Sequence, residues 1–246
     1  MPEKPVTIQS TDARRRPEPE AIDLKVVYED EWLIAIDKPP GMVVHPTYRN
    51  WSGTLLNGLL WRVRERAGAQ PSIITRLDKD TSGLVLVALT PEVHARIQRD
   101  GAAGRLKKEY LALVRGTPSP ARGAIALPLA RSAEDRRRVV VTETGQACET
   151  RYEVLSSSQG SPGGPYSLVR CELVTGRTHQ IRVHLAARGW PVLGDSVYGE
   201  PHAGLARQAL HAWRLTLTDR VTGTVLEIEA PLPSDLQQVC GQNFTL

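Results

Sequence analysis

Four charged residues stand close together in the segment ITRLDKDTSGLVLVAL, which runs from Ile74 to Leu89. They are Arg76, Asp78, Lys79 and Asp80, and they directly precede an apolar run typical of a strand buried on both faces. Charged side chains are costly to place beside a buried strand unless they are paired. The residues alone leave two interpretations open: a salt bridge that holds the strand entrance, or a carboxylate that performs acid–base or nucleophilic chemistry.

Two further arrangements of reactive residues are disfavoured by their spacing. Asp78 and Asp80 lie on one loop, whereas the carboxylate pair of a glycosidase normally comes from separate elements that face each other across the sugar. His179 and His184 are five residues apart, which places them about 140° apart on a helix and on opposite faces of a strand, so a shared metal is not expected. The sequence lacks the glycine-containing motifs that are typical of α/β-hydrolases, P-loop NTPases and Rossmann dehydrogenases, so these functions are disfavoured.

Apolar periodicity and turn residues predict the elements that must position these side chains. GTLLNGLLWRVRERAG predicts a helix from an N-cap at Thr54 to a C-cap at Gly68. TPEVHARIQRDG predicts a second, with Thr90 as N-cap and proline at its first position, and TGRTHQIRVHLAARG a third, capped by Thr178 and Gly189. Strand-like segments outnumber the helices, which predicts an α+β fold on a mixed, largely antiparallel sheet.

The composition fits one catalytic-sized domain. The chain has 246 residues, 41% of them hydrophobic, with a net charge of +4. Residues 1–21 are rich in Pro, Glu and Arg and predict a disordered tail, which leaves 22–246 as the catalytic domain. Basic clusters at 14–16, 105–108 and 136–138 would by default be solvated faces, yet together they could follow a phosphate backbone.

The cysteines and the hydropathy pattern indicate a cellular location. Cys148, Cys171 and Cys240 are far apart, so neither a disulfide framework nor a zinc site is expected, and a reducing cytoplasm fits best. The first residues have no apolar signal region, and no later apolar run approaches the length of a membrane span. We therefore expect a cytoplasmic protein that is neither secreted nor embedded in a membrane.

Five extended blocks resemble one enzyme family. IDKPPGMVVHP, RLDKDTSGLVLVA, KKEYLALVRG, GRTHQIRVHLAARGWPVLGDSVYG and LHAWRLTL with EAPLP follow one another between about residues 24 and 236. Together they resemble the RluA-type pseudouridine synthases. The resemblance implies two sheet-bearing halves with flanking helices around a central catalytic cleft. It also implies isomerisation of uridine to pseudouridine in structured ribosomal or transfer RNA, without cofactor or metal.

The resemblance assigns the catalytic residues. Asp78 matches the family's catalytic aspartate, Tyr110 the tyrosine expected to stack on the target base, and Arg182 the basic residue expected to pair with the aspartate as an ion and hold it in place. Ile181 matches an aliphatic position expected to pack against the flipped base. Without the resemblance, Tyr110 would be interpreted as an ordinary strand aromatic, Arg182 as a surface arginine and Ile181 as a core residue.

The resemblance also gives candidates for binding RNA. Arg76 matches the arginine expected to enter the RNA stack in place of the extruded uridine, whose reacting atoms are unreachable within a helix. Lys38, Thr81, Arg177 and Gln180 are further candidates for binding RNA or supporting the site.

Two positions in or near the charged loop bear on its conformation. Thr75 stands where the family commonly has histidine, which puts any contact of that histidine in doubt. Gly83 is expected to permit an unusual backbone path.

Some relatives carry a small RNA-binding domain ahead of the catalytic one. The roughly twenty residues before the predicted catalytic domain are too few to form it. We expect a monomer whose RNA specificity rests on the catalytic domain.

Two other classes of function stay open at this stage. A non-catalytic RNA-binding or ribosome assembly factor on the same fold would bind RNA without changing it. An RNA or nucleoside glycosidase would release free uracil instead of rejoining it to the ribose.

Overall fold

The computed structural model describes residues 16–48, 50–158, 164–219 and 221–240. Its helices are α1 (Leu55–Arg62), α2 (Pro91–Ala102), α3 (Gln180–Ala187) and α4 (Ser234–Cys240). Its strands are β1 (Val26–Glu29), β2 (Leu33–Lys38), β3 (Ser72–Ile73), β4 (Ser82–Ala88), β5 (Leu106–Arg115), β6 (Arg122–Ile125), β7 (Leu129–Arg131), β8 (Val139–Val141), β9 (Thr150–Ser158), β10 (Tyr166–Leu173), β11 (Leu210–Thr218) and β12 (Val225–Glu229). In these ranges no helix combines the length and the apolar character needed to cross a membrane.

One large sheet organises the described chain. Its strands follow the order β1-β2-β4-β11-β5-β10-β9-β6, with β3 also paired to β4 and β12 to β11, while β7 and β8 form a separate hairpin. The pairings of this sheet are antiparallel except for the parallel pairing of β4 with β11. The predicted α+β fold with a mixed, largely antiparallel sheet is confirmed.

The two halves of the sheet meet where β4 runs beside β11. The pairing is short, with only Ser82 opposite His211 and Gly83 opposite Ala212. As predicted, β4 is buried along its whole length. Its alternate side chains enter two cores: Val85 and Val87 join the cluster that includes α1 residues, and Leu84 and Leu86 join the cluster that includes α2 residues. Helices on both faces thus fix the strand that follows the charged loop.

The starts of α1 and α2 were predicted correctly, whereas the end of α1 was not. The hydroxyl oxygens of Thr54 and Thr90 accept hydrogen bonds from backbone N–H groups of the first turns of α1 and α2, as predicted. The predicted end of α1 at Gly68 is wrong, because the helix ends at Arg62. The sequence RERA after Val63 is polar and largely exposed, so it offers no apolar face to pack a further turn.

The predicted N-cap of α3 is also wrong. Residue 179 and not Thr178 precedes the first helical residue, and His179 makes no side-chain capping hydrogen bond. Helix α4 was not predicted at all, although Ser234 and Asp235 after a proline are a helix-start pattern.

Part of the segment predicted to be a disordered tail lies against α1. The side-chain amide of Asn57 donates to the backbone oxygen of Glu18 at 2.7 Å, and the backbone N–H of Glu20 donates to the backbone oxygen of Asn57 at 3.0 Å. The Glu20 carboxylate accepts from the backbone of Gly53 at 2.8 Å. The rest of the predicted tail, residues 1–15, lies outside the described residues.

Gly83 is the residue that allows β4 to approach β11. Its φ is +105°, and a Cβ added there would lie 2.2 Å from the backbone oxygen of Ala212 and 2.7 Å from its nitrogen. Both distances are far below van der Waals contact, and the opposing atoms are backbone, which cannot move aside without breaking the junction. The expectation that Gly83 permits an unusual backbone path is therefore confirmed.

We expect Gly83→Ala to lower the free energy of unfolding by about 3 kcal/mol or more, because strain and overpacking add at this position. Gly104→Ala is the matched control, since Gly104 also has a positive φ of 75° but no atom within 4 Å of an added Cβ. The control should lose only about 1 to 2 kcal/mol of unfolding free energy, which is the cost of placing alanine in a left-handed conformation. Urea unfolding of both variants measures the difference, and equal losses would contradict a steric role for Gly83.

Candidate active site

A cleft of about 700 Å³ lies where the two halves of the sheet meet. Its lining includes the loop between β3 and β4, part of β5, and the segment that leads into α3. These elements are far apart in sequence, yet they bring together Asp78, Tyr110, Ile181 and Arg182. The cleft therefore unites the four residues that the resemblance assigned to catalysis and to packing against the base.

Asp78 and Arg182 form an ion pair inside this cleft. Nη1 of Arg182 lies 2.9 Å from Oδ2 of Asp78. The Arg182 side chain is only 6% exposed and that of Asp78 is 24% exposed. An arginine in so buried a place needs carboxylate partners, because burying an unpaired charge is prohibitively costly.

Asp195 supplies the second carboxylate, and sequence reasoning missed it. Its two oxygens accept from Nε and Nη2 of Arg182 at 2.6 and 2.8 Å, and Oδ1 also accepts from the backbone N–H groups of Val197 and Tyr198. Asp195 is completely buried. Burial alone would raise its pKa, but the hydrogen bonds and charge of Arg182 more than offset this and hold the pKa below its ordinary value.

The Asp195 pair fixes the direction in which Arg182 points. A bidentate pair allows little rotation of the guanidinium group, so Nη1 is left aimed at Asp78. The sequence signal available was a lone aspartate after Gly194 in the quoted block GWPVLGDSVYG, which looks like an ordinary turn residue.

One oxygen of Asp78 is left uncommitted. Among the described residues, Arg182 is the hydrogen-bond donor to its Oδ2, and no described residue donates to Oδ1. The backbone oxygen of Asp78 accepts from the N–H of Thr81 at 3.2 Å, which closes a tight turn directly before β4. The carboxylate is thus rigidly held at one oxygen and available at the other.

Lys38 holds the backbone of the Asp78 loop from inside the protein. It is completely buried, and its Nζ donates to the backbone oxygens of Pro39, Met42 and Lys79 at 2.8, 3.1 and 2.9 Å. Burial lowers its pKa to about 8. All three of its protons are used, so of the two roles expected for Lys38 only support of the site fits this geometry.

Thr81 and Gln180 are likewise buried within the framework of the site. The Thr81 hydroxyl accepts from the Gln208 side chain at 3.1 Å. The Gln180 side-chain oxygen accepts from the Thr175 hydroxyl and the Arg177 N–H, and its nitrogen donates to Glu149 and Thr150. Both side chains are thus engaged inside the protein, and Gln180 fixes the loop before α3.

Arg207 is a second residue that sequence reasoning missed. Its Nη1 donates to the backbone oxygen of Asp80 at 3.1 Å, while Nε and Nη2 bind Asp235 in bidentate fashion at 2.7 and 3.0 Å. It holds the far side of the Asp78 loop, and no motif around it in the sequence indicates this role.

Arg76 and Arg177 are the exposed members of the predicted set, and both line the mouth of the cleft. Thr75 points the other way: it is buried, and its hydroxyl oxygen accepts from the backbone N–H of Leu86 in β4 at 2.8 Å. The residue that departs from the family pattern thus ties the loop to the central strand.

Tyr110 and Ile181 form the apolar wall beside Asp78. Both are buried in the same hydrophobic cluster and border the cleft. Burial, reinforced by the negative charge of Asp78, raises the pKa of Tyr110 above its ordinary value. The phenol is therefore protonated at neutral pH, which suits packing and hydrogen-bond donation and does not suit a phenolate base.

His179 and His184 have separate hydrogen-bond partners. His184 is bonded to the Thr150 hydroxyl and the Leu127 oxygen, and His179 to the Tyr198 hydroxyl. In the described part of the chain, no group of three or more His, Cys, Asp or Glu side chains is arranged to hold a metal ion.

Comparisons with known proteins converge on one family. The family model described as RNA pseudouridylate synthase matches residues 32–187. Ribosomal large subunit pseudouridine synthase D of Nitrosomonas europaea is 44% identical over 88% of this chain and 64% of that protein. Its counterpart in Zymomonas mobilis is 39% identical over 89% and 73%. An uncharacterized RNA pseudouridine synthase of Bacillus subtilis is 39% identical over 91% and 76%.

A solved structure has the same fold. Human RNA pseudouridylate synthase domain containing 1 superimposes with a TM-score of 0.69 at 28% identity, over 86% of this chain and 84% of that one. The chain spans slightly less than two thirds of the Nitrosomonas relative and about three quarters of the other two relatives.

We expect Asp195→Asn to lower the free energy of unfolding by about 3 kcal/mol at neutral pH, because it leaves Arg182 with a single, partly exposed carboxylate. Asp135→Asn is the control, since Asp135 binds Arg137 with the same bidentate geometry but the Arg137 side chain is 89% exposed. The control should lose much less, because water can solvate the arginine that it leaves unpaired. Urea unfolding measures both losses.

The loss caused by Asp195→Asn should also depend on pH. The pKa of Asp195 is depressed in the folded protein, so its stabilisation is present above the unfolded-state pKa of about 4 and disappears as the pH falls further. The stability difference between the native chain and Asp195→Asn should therefore shrink below about pH 4. A difference that stays constant down to pH 3 would contradict an ionic role for Asp195.

Proposed function

Since the chain belongs to the RNA pseudouridylate synthase family, we propose that it isomerises uridine to pseudouridine in RNA of the large ribosomal subunit. The observation that carries the proposal is the Asp78 carboxylate, held by Arg182 at one oxygen and uncommitted at the other. The choice of ribosomal RNA over transfer RNA is supported by relatives named ribosomal large subunit pseudouridine synthase D.

The reaction suits a single carboxylate. The bond between N1 of uracil and C1′ of ribose breaks, the base turns, C5 bonds to C1′, and the proton from C5 ends on N1. Atoms and electrons balance within the nucleotide, so the reaction requires neither an oxidant nor a cofactor. Oδ1 of Asp78 is the oxygen available to attack C1′ or to remove the C2′ proton, and Arg182 keeps Oδ2 bound during either step.

The walls of the cleft serve the detached base. Tyr110 and Ile181 present buried apolar surface beside Asp78, against which a flat uracil can pack while it turns. Exclusion of water matters here, because water at C1′ would hydrolyse the nucleotide instead of allowing C5 to rejoin it.

A basic groove beside the cleft is the proposed path of the RNA. It has a volume of about 400 Å³ and is lined by Arg76, Arg131 and Arg177, among others. Arg76 and Arg177 line both the groove and the cleft, so the two are continuous. All three arginines are exposed, which suits phosphate contacts on either side of a flipped uridine.

We also propose that the protein acts in the cytoplasm as a monomer. Cys148, Cys171 and Cys240 are free and buried, as expected of a chain kept in a reducing environment.

The direct test of the proposed function is the product. The purified protein is incubated separately with large-subunit ribosomal RNA and with transfer RNA, and pseudouridine is mapped by carbodiimide-dependent stops of reverse transcription. New stops at defined uridines of the ribosomal RNA support the proposal. Stops confined to transfer RNA would overturn the ribosomal target, free uracil would indicate a glycosidase, and tight binding without product would favour an RNA-binding factor.

We expect Asp78→Asn to abolish pseudouridine formation, because the neutral amide can neither attack C1′ nor accept the C2′ proton. RNA affinity should change by no more than about tenfold, since contacts to phosphates dominate binding. Single-turnover assays and filter binding with the same RNA separate the two effects. Turnover by the Asn variant would remove Asp78 from the catalytic role.

We expect Arg76→Ala to slow the reaction on a stem-loop about tenfold or more, with a smaller effect on an unstructured strand of the same sequence. Only the stem-loop loses stacking when the uridine is extruded, and the guanidinium group is proposed to offset that loss. Arg177→Ala is the control, because loss of a phosphate contact should weaken both substrates alike. Equal slowing of both substrates by Arg76→Ala would count against insertion into the RNA stack.

A further inference from the structure

His179 has an unusual backbone conformation directly beside the active site. Its φ is 55°, which makes it the one residue other than glycine with a positive φ in the described chain. This left-handed conformation costs an L-residue free energy that glycine would not lose, although histidine tolerates it better than most residues. Such a conformation persists only where the contacts of the residue compensate for its cost.

The contacts of His179 bear on which ring nitrogen carries the proton. Its Nδ1 lies 2.8 Å from the Tyr198 hydroxyl, and that hydroxyl oxygen accepts from the backbone N–H of Val139 at 2.8 Å. No other acceptor for the Tyr198 proton occurs among the described residues. This geometry favours donation by the hydroxyl to Nδ1, which places the proton of the neutral imidazole on Nε2.

The other edge of the ring faces the catalytic carboxylate. Nε2 of His179 lies 3.8 Å from Oδ2 of Asp78, the oxygen that Arg182 already binds. An N–H directed at a carboxylate is attractive, whereas a lone pair in the same place would be repelled. Both ends of the ring therefore favour the same tautomer.

Burial keeps this ring neutral. It lowers the pKa of His179 below its ordinary value, and the four charged groups that act on the ring, Asp78, Arg182, Asp195 and Arg131, partly cancel one another. Tyr198 also packs edge-on against the imidazole, with ring centroids 5.5 Å apart, and the Arg182 guanidinium lies 5.0 Å from its ring centroid. Tyr198 thus contacts both groups that lie next to Asp78.

We propose that His179 is a positioning residue, which donates a hydrogen bond from Nε2 to Oδ2 of Asp78 when RNA fills the cleft, and that Tyr198 holds the tautomer this requires. The present separation is about 1 Å too long for that bond, and contacts of this kind commonly tighten when substrate binds. With two donors on Oδ2, the free oxygen of Asp78 is the only one that can reach the ribose.

The series of hydrogen bonds from Asp78 through His179 and Tyr198 also reaches the basic hairpin formed by β7 and β8. Val139, whose N–H holds the Tyr198 hydroxyl, is the first residue of β8 and directly follows Arg136, Arg137 and Arg138. RNA bound along this hairpin would act on the same hydrogen-bonded series that ends at Asp78. The proposal rests on the proposed function for its RNA-dependent part only.

The first test measures the tautomer and needs no turnover. The protein is labelled with ¹⁵N-histidine, and His179 is assigned by comparison with His179→Asn, which is expected to fold because asparagine also accepts a left-handed conformation. We expect Nε2 to carry the proton at neutral pH, and its proton signal to move downfield when RNA is added to the native chain but not to Asp78→Asn. A proton on Nδ1, or an Nε2 signal that ignores RNA, would overturn the proposal.

The second test separates positioning from packing. Tyr198→Phe should lower kcat about tenfold with little change in KM. His179→Asn should lower kcat further. His179→Gln should have a higher kcat than His179→Asn, because its amide nitrogen can take the place of Nε2. Tyr152→Phe is the matched control, since it removes the hydroxyl of another buried tyrosine, bonded to the Pro120 oxygen away from the cleft.

The outcomes of the second test are distinct. Equal kcat values for Tyr198→Phe and Tyr152→Phe, or no recovery by His179→Gln, would refute a positioning role. A native chain without activity on any RNA would overturn the proposed function, and the tautomer measurement would still decide whether His179 is bonded as inferred.

Discussion

The active site depends on a single buried guanidinium group shared between two carboxylates. Arg182 cannot be buried alone, and Asp195 offsets most of the cost by binding two of its nitrogens and drawing in two backbone N–H groups. The remaining nitrogen is thereby aimed at Asp78. The charge that stabilises this part of the fold therefore also orients the carboxylate that would act on the ribose.

The second constraint is the approach of β4 to β11. The two halves of the sheet join through a short parallel contact that only glycine at position 83 permits. The charged loop ends at this junction, and its backbone oxygens are bound by Lys38 and Arg207 from opposite halves of the sheet. A loop tied to both halves can hold Asp78 without being part of a helix or strand itself.

Polar residues around the cleft divide into those that hold the loops and those that remain free. Lys38, Thr81 and Gln180 have their hydrogen-bonding groups engaged inside the protein, so they preserve geometry. Arg76 and Arg177 stay exposed at the mouth of the cleft and are available to a phosphate backbone. Residue type alone does not separate these groups, because a lysine and an arginine look equally suited to RNA until their burial is known.

The sequence by itself determined the class of fold, the buried strand β4, the N-caps of α1 and α2, and the blocks that led to Asp78, Tyr110 and Arg182, because these features follow from local periodicity or from contiguous motifs. It did not reveal the roles of Asp195 and Arg207, which of its two expected roles Lys38 has, or the series from Val139 through Tyr198 to His179. Those roles arise from hydrogen bonds between residues up to 127 positions apart and from burial, which only the packing of the two halves decides.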